Sequence, residues 1–194
     1  MNKHKAKERP KQRTAAREYP GFVEDFLNTA IVFLLVSAAA VLILLFIGRA
    51  AIVNGDSMQP TLHNGDMLIV QKVAYQHPKR FDIIVFDSLD GKGTLFIKRV
   101  IGLPGETVQI ADGVITIDGE VLEEHYGMEP MEAAGLAAEP FVLGEEEYFV
   151  LGDNRNNSGD SRSASVGAVK QNQIAGKAFF RFWPLKDMGL LQHQ

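Results

Sequence analysis

The chain has 194 residues, 46% of them hydrophobic and 23% charged, which suits one domain with a sizeable core better than two. It contains no cysteine, which excludes a disulfide scaffold, a thiolate nucleophile and a cysteine zinc site, and fits an oxidising compartment. The net charge of -4 hides an asymmetry: residues 1–20 hold seven Lys or Arg against two Glu, whereas the chain from Gly48 onward holds 13 basic and 20 acidic residues.

The basic arm runs into the most apolar segment of the chain. Ala30–Ile47 is interrupted only by Ser37, and as a helix it would reach about 27 Å, close to the hydrocarbon thickness of a bilayer. The excess of Lys and Arg before it favours a cytoplasmic amino terminus. We therefore expect a basic cytoplasmic tail (1–25), a single transmembrane anchor (26–48) and a domain on the outer face of the plasma membrane (49–194), with the lipid bilayer and no nucleic acid as partner.

Two alternatives to the anchor remain. The segment could be a cleaved signal peptide, since small residues precede a possible cut after Ala50, but the apolar run exceeds the usual seven to fifteen residues of a signal core. A buried core helix is disfavoured because no polar stripe relieves the run.

The first candidate for chemistry follows the anchor. Ser57 precedes a turn stiffened by Pro60 and could be a nucleophile, or it could simply cap the turn.

After the anchor, the pattern predicts a mainly β domain of antiparallel strands without a helix of convincing length. The predicted strands are Met67–Val70, Asp82–Phe86, Leu95–Ile101, Thr107–Ile110, Val114–Ile117, Tyr148–Leu151 and Lys177–Phe182. Asp112-Gly113 between two alternating runs predicts a hairpin turn with positive φ at both positions. The acidic stretch 120–147, with its proline and glycine, predicts a solvated excursion from the sheet.

Lys98 is the second candidate for chemistry. Its strand would place it on one face with Phe96 and Val100, and an ammonium held against apolar side chains has a lowered pKa, which makes a neutral amine available as a general base. Ser57 and Lys98 together suggest a Ser/Lys hydrolase. The alternative for Lys98 is a side chain that extends from a strand end to water.

The third informative stretch is the polar loop, residues 152–162, which directly follows the strand-like Tyr148–Leu151. Its side chains can bond its own backbone and hold charged pairs beside a site, or it could be an ordinary surface loop. A calcium loop is disfavoured because the spacing lacks the carboxylates of the standard motif. We expect no metal and no cofactor, because the histidines lack metal-ligand spacing. They are His4, His63, His77, His125 and His193.

Five ordered blocks behind the anchor resemble type I signal peptidases, the membrane-anchored bacterial serine proteases that remove signal peptides, in a compact form like that of Gram-positive bacteria. The blocks are Ser57–Leu62, Gly65–Val70 with Lys72, Asp82–Phe86, Lys98–Gly105 and Gly152–Arg162.

The resemblance implies roles for individual residues. Ser57 would be the nucleophile and Lys98 the general base, with Ser158 hydrogen-bonded to the lysine. Asp160 and Arg162 would form a structural ion pair, and Asp153 with Arg99 would belong to the same network. His63 has no matched acidic partner and is interpreted as a turn residue.

The resemblance also implies the substrates, which are precursor proteins with signal peptides cut after small residues in an Ala-x-Ala pattern. The Ser57 backbone N–H is the natural first oxyanion donor. Some family members carry a serine where this chain has Gly55, which leaves the second donor around Gly55 open. Phe81 also departs from the pattern of the family, which often has glycine at this position.

Two rival classes remain open at this point: a different Ser/Lys enzyme, such as a self-cleaving regulator, and a non-enzymatic membrane-tethered β domain. The sequence predicts no oligomeric state.

Overall fold

The computed structural model describes residues 21–71, 77–88, 93–127 and 129–191, and for residues 41–47 it describes the backbone alone. The predictions made for residues 1–20, for Lys72 and for His193 lie outside the described residues.

One apolar helix, α1 (Phe22–Ile47), begins at Phe22 rather than at residue 26, and Gly48 belongs to the following strand. No glycine or proline interrupts it, which suits helix formation. Its large apolar side chains from Phe22 to Val36 are exposed, for example Phe33 at 74%. Residues Phe22–Ala40, with a mean hydropathy of 1.7, are long and apolar enough to cross a membrane.

The rest of the described chain is mainly β, as predicted, and after α1 its helices are short 3₁₀ turns. The strands are β1 (Gly48–Ile52), β2 (Met67–Gln71), β3 (Ile83–Asp87), β4 (Leu95–Gly102), β5 (Thr107–Ala111), β6 (Val114–Ile117), β7 (Glu120–Val121), β8 (Phe141–Val142), β9 (Glu147–Leu151), β10 (Val169–Lys170), β11 (Ile174–Trp183) and β12 (Gly189–Leu190). The 3₁₀ turns are Gly135–Ala138, Gln171–Gln173 and Leu185–Asp187.

The strands form two antiparallel sheets. The larger sheet has the order β1-β2-β11-β3-β4-β9-β10, with β12 also paired to β11, and the smaller has the order β7-β6-β5-β8. Strand β4 therefore lies between β3 and β9, and β9 leads directly into the polar loop. This arrangement brings Lys98 and the polar loop into one region although they are far apart in sequence.

The hairpin predicted at Asp112-Gly113 is confirmed. Asp112 has φ 50° and Gly113 has φ 78°, as a two-residue turn between β5 and β6 requires.

The prediction of a solvated excursion at 120–147 is wrong in part. This segment supplies the edge strands β7 and β8 of the smaller sheet. Its apolar residues Met131, Ala137 and Leu143 are buried in one cluster with residues such as Val108 and Phe149. The burial of these few apolar side chains outweighs the acidic composition of the segment.

A second hydrophobic cluster lies under the region that follows β1. It contains Met58 and Leu62, which flank Pro60 and are 1% and 0% exposed, and it continues into β2 and β3. The cluster anchors the turn after Ser57 and so fixes where the candidate nucleophile stands.

Candidate active site

Ser57 lies at the start of a turn that is held by its own backbone and by the core. The Leu62 N–H donates to the Met58 carbonyl at 2.9 Å, and both side chains are buried. Ser57 itself is half-buried. The turn thus presents the Ser57 hydroxyl at a surface whose underside is packed.

Lys98 lies in the middle of β4, opposite Ile84 of β3, and is 4% exposed. Its Nζ donates to Ser57 Oγ at 2.7 Å and to the Ile97 carbonyl at 2.9 Å. The Nζ also lies 5.6 Å from the centre of the Phe96 ring, which agrees with the predicted strand face. The amine is therefore within direct proton-transfer distance of the hydroxyl.

Burial lowers the pKa of Lys98 from 10.5 to about 8, and the carboxylates of Asp160 and Asp153 act in the opposite direction. An amine with this pKa has a substantial neutral fraction near neutral pH, as a general base requires.

Ser158 does not make the hydrogen bond to Lys98 that the resemblance implied. Its Oγ is buried and has no hydrogen-bond partner within the described residues. The Lys98 amine bonds Ser57 Oγ and Ile97 O instead, and the Ser158 hydroxyl packs against Gly152. A side chain at Gly152 would collide with this hydroxyl and with the Ser57 carbonyl.

Arg99 and Asp153 form an ion pair in which both side chains are 0% exposed. The guanidinium donates to the two carboxylate oxygens at 2.8 and 2.6 Å. It also donates to the Phe81 carbonyl at 2.9 Å and to Thr61 Oγ1 at 3.4 Å, and it lies 3.5 Å from the centre of the Tyr126 ring. Thr61 Oγ1 donates to Asp153 at 2.5 Å. Together with Thr61, this pair connects β4 to the polar loop and to the turn Ser57–Leu62, which is called the nucleophile turn below for the role expected of Ser57.

Asp160 and Arg162 form a second bidentate pair inside the polar loop, with both contacts at 2.8 Å. Asp160 also accepts from the Gly152 N–H at 3.1 Å, and Arg162 donates to the Arg155 carbonyl at 2.5 Å. The Asp160–Arg162 pair is bonded to the Gly152 N–H, and the next residue, Asp153, belongs to the Arg99 pair. The two ion pairs are therefore linked through adjacent backbone residues, as a single network requires.

Several residues in this network escaped the sequence analysis as separate candidates. Thr61 lies within the Ser57–Leu62 block, so its position was a usable signal. Tyr126 stacks on Arg99 from within the acidic excursion, where no pattern marks it. Glu124 in the same stretch pairs with Arg155 of the polar loop.

Gly55 supplies no hydroxyl and its backbone N–H is already engaged. It adopts φ 96°, a conformation that favours glycine, and its N–H donates to Asn64 Oδ1 at 2.9 Å. Gly55 therefore offers neither a hydroxyl nor an unoccupied backbone N–H for the role of second oxyanion donor that the sequence left open.

His63 and Phe81 occupy turns. His63 is exposed, and its carbonyl accepts from Asp66 N, as expected of a turn residue. Phe81 has φ 70°, which explains why glycine suits this position, and its ring packs on Tyr126 at 5.2 Å between centres. The Phe81 carbonyl accepts a hydrogen bond from Arg99, so this position supports the ion pair beside Lys98.

Two further features concern ligand binding. A cavity of about 520 Å³ is lined by apolar residues such as Ala51, Val85 and Leu95 and by polar residues such as Arg49 and Asp87, and its lining includes neither Ser57 nor Lys98. Within the residues that the structure describes, no group of three or more His, Asp or Glu side chains is arranged to hold a metal ion.

The family model described as signal peptidase, peptidase S26, matches residues 26–183. Probable signal peptidase I-2 of Synechocystis sp. is 40% identical over 153 residues, which cover 75% of this chain and 68% of the relative. Signal peptidase I of Bacillus licheniformis is 40% identical over 158 residues, which cover 77% of this chain and 84% of the relative. A solved structure of a signal peptidase I from Enterococcus faecalis V583 is 39% identical and aligns with 52% of this chain and 95% of its own, with a TM-score of 0.41. The chain therefore belongs to the signal peptidase family, peptidase S26, and is a hydrolase of the serine peptidase class.

Proposed function

We propose that this protein is a membrane-anchored endopeptidase that removes signal peptides from exported precursor proteins, with Ser57 as nucleophile and Lys98 as general base. The observation that carries the proposal is the 2.7 Å hydrogen bond between Lys98 Nζ and Ser57 Oγ, made by an amine that is almost fully buried. The Arg99–Asp153 and Asp160–Arg162 pairs hold the surrounding backbone.

The chemistry follows from this geometry. Ser57 Oγ attacks the carbonyl carbon at the signal-peptide junction while the neutral Lys98 amine takes the hydroxyl proton. When the tetrahedral intermediate collapses, the C–N bond breaks and the Lys98 ammonium gives its proton to the leaving amine. Water then attacks the acyl-enzyme, with Lys98 again as base, and the Ser57 N–H stabilises the oxyanion in both halves.

The substrate peptide would add as an extended segment beside β4. Strand β9 pairs with β4 only from Arg99 to Gly102, which leaves the Leu95–Lys98 edge on that side without a strand neighbour among the described residues. An extended peptide can bond to such an edge and pass the amine of Lys98. Alternate side chains of the peptide would then face the domain, and the family resemblance implies small residues at these positions, in an Ala-x-Ala pattern.

Helix α1 would anchor the enzyme in the plasma membrane, with the basic tail in the cytoplasm and the β domain on the outer face. Retention of the anchor is supported by β1, in which Ala50 is paired with Ile69, because a cut after Ala50 would interrupt this strand. A translocated precursor is also held at the membrane by its apolar segment. Confinement of both reactants to one surface raises their effective concentration.

The test is cleavage of a purified precursor with Ala-x-Ala before its junction by the full chain in detergent micelles. Ser57→Ala and Lys98→Ala should each abolish turnover and leave the domain folded. Ser165→Ala and Lys170→Ala, which alter exposed residues of the same types, should cleave at the wild-type rate. Substantial turnover by both Ser57→Ala and Lys98→Ala would reject the dyad.

A further inference from the structure

One residue of the polar loop, Asn154, holds two successive carbonyls of the nucleophile turn. Its side-chain Nδ2 donates to the Asp56 carbonyl at 3.1 Å, and its backbone N–H donates to the Ser57 carbonyl at 3.0 Å. The first of these contacts depends on the asparagine side chain, whereas the second is available to any residue except proline. A substitution of Asn154 can therefore remove the hydrogen bond to the Asp56 carbonyl while it keeps the backbone hydrogen bond to the Ser57 carbonyl.

The Asp56 carbonyl belongs to the same planar unit as the Ser57 N–H. The Asp56–Ser57 peptide bond is trans, so the C=O and the N–H point in opposite directions. A donor that fixes the direction of the Asp56 carbonyl therefore also fixes the direction of the Ser57 N–H. This N–H makes no hydrogen bond within the described part of the chain and points away from the Asn154 amide.

We propose that Asn154 is a positioning residue for the oxyanion hole: its side-chain amide orients the Asp56–Ser57 peptide so that the Ser57 N–H is ready to bond the oxyanion. The inference rests on the proposed function of Ser57. This orientation matters more in this chain than in relatives with a serine two residues before the nucleophile. Gly55 has no hydroxyl to share the charge, and its own N–H is bonded to Asn64.

The expected size of the effect follows from the other partner of the Asp56 carbonyl. The Gln59 N–H also donates to this oxygen, at 3.2 Å, so the peptide keeps part of its restraint when the Asn154 amide is removed. Loss of a whole oxyanion donor costs about 10²–10³-fold in kcat. Loss of its orientation alone should cost less, and we expect a fall in kcat of about tenfold.

The test compares Asn154→Ala with Asn156→Ala in the full chain in detergent micelles. Asn156 is a matched control because it is an asparagine of the same loop whose side chain bonds backbone groups of Glu132 and Pro130, away from the nucleophile turn. Asn154→Leu, which keeps the size of the side chain without a donor, provides a second variant if the alanine variant folds poorly.

Three quantities are measured: kcat and KM for a precursor, the pH midpoint of kcat/KM, and the affinity for a peptide aldehyde that ends in alanine. Ser57 Oγ adds to the aldehyde carbon, the carbonyl electron pair moves onto the oxygen, and the hydroxyl proton passes to Lys98, so the adduct carries an oxyanion like that of the reaction. For Asn154→Ala and Asn154→Leu, kcat and aldehyde affinity should fall by the same factor of about ten, with KM and the pH midpoint unchanged. Asn156→Ala should match the wild type in every quantity.

The inference is overturned if folded Asn154→Ala and Asn154→Leu keep wild-type kcat and aldehyde affinity, if only KM rises, or if the pH midpoint moves, since a moved midpoint would mean that Asn154 acts through Lys98. Ser57→Ala in the same assay distinguishes a failure of the proposed function from a failure of the role proposed for Asn154. Turnover by Ser57→Ala would defeat the proposed function itself, whereas an inactive Ser57→Ala beside a fully active Asn154→Ala would defeat only the role of Asn154.

Discussion

Replacement of Lys98 by methionine should stabilise the folded protein at neutral pH while it removes activity. Burial lowers the pKa of Lys98 in the folded state from 10.5 to about 8. A difference of this size corresponds to a cost of about 3 kcal/mol for folding around the protonated amine. Methionine has a similar length and no charge, so the Lys98→Met variant avoids this cost.

The sign of the pH dependence follows from proton binding. Below about pH 7 Lys98 is mostly protonated in both states, and the wild type carries almost the full cost. As pH rises through about 8 to 10.5, the unfolded chain binds more protons than the folded one, so the cost shrinks and wild-type stability increases. Loss of the Lys98 hydrogen bonds to Ser57 and Ile97 should cost the variant about 1 kcal/mol at every pH. We therefore expect Lys98→Met to be about 2 kcal/mol more stable at pH 7 and about as stable as the wild type at pH 10.

Urea unfolding of the full chain in detergent micelles measures this difference. The only tryptophan of the chain, Trp183, lies in β11 and is 49% exposed, so its fluorescence reports on the β domain. Lys170→Met, at an exposed position, should show no comparable advantage that varies with pH. A Lys98→Met variant that is no more stable than the wild type at pH 7, or whose advantage is the same at pH 7 and pH 10, would refute the argument.

Two further predictions follow from the same site. The wild-type kcat/KM for precursor cleavage should rise about tenfold per pH unit below pH 7 and level off above about pH 9, because on the proposed mechanism only the neutral amine of Lys98 accepts the Ser57 proton. A profile that is flat from pH 6 to 9 would contradict base catalysis by Lys98. Asp153→Asn should lower the free energy of unfolding by about 3–5 kcal/mol, because it leaves the buried Arg99 charge without its partner. Urea unfolding monitored by Trp183 checks this, with Asp187→Asn at the surface as control, and a loss below about 1 kcal/mol would show that Arg99 is compensated by other groups.

The sequence predicted those elements that are determined by a local pattern of neighbouring residues. The alternation of Phe96, Lys98 and Val100 predicted β4, and Asp112-Gly113 predicted its hairpin because positive φ is a property of single residues. The apolar run predicted α1. The catalytic pairing of Ser57 with Lys98 came from the chemistry of each residue and from the order of the family blocks, and it stays a prediction until the variants are assayed.

The features that the sequence did not predict depend on contacts between distant segments. The sequence of strand β1 shows little alternation of polar and apolar residues, and the strand is stabilised by its pairing with β2. Leu143 and its apolar neighbours in the acidic stretch gain burial only once the smaller sheet is assembled. Tyr126 meets Arg99, 27 residues earlier, through a stacking contact that no spacing rule anticipates. The Ser158 hydroxyl lies against Gly152, where the carbonyl of Ser57 from the distant turn also makes a close contact.

The ion pairs beside Lys98 explain how its amine can stay available near neutral pH although two carboxylates lie close to it. Asp160 and Asp153 each act to raise the pKa of Lys98, and burial has the larger, opposite effect. Asp160 is bonded through both oxygens to Arg162, and Asp153 is bonded in the same way to Arg99. Each guanidinium compensates most of the negative charge of its carboxylate, which weakens the effect of that carboxylate on the Lys98 amine. Without either guanidinium, the freed carboxylate would favour the ammonium and move the base toward its inactive form. On the proposed mechanism, the arginines therefore contribute to catalysis by limiting how far their carboxylates stabilise the Lys98 ammonium, in addition to holding the backbone of the polar loop.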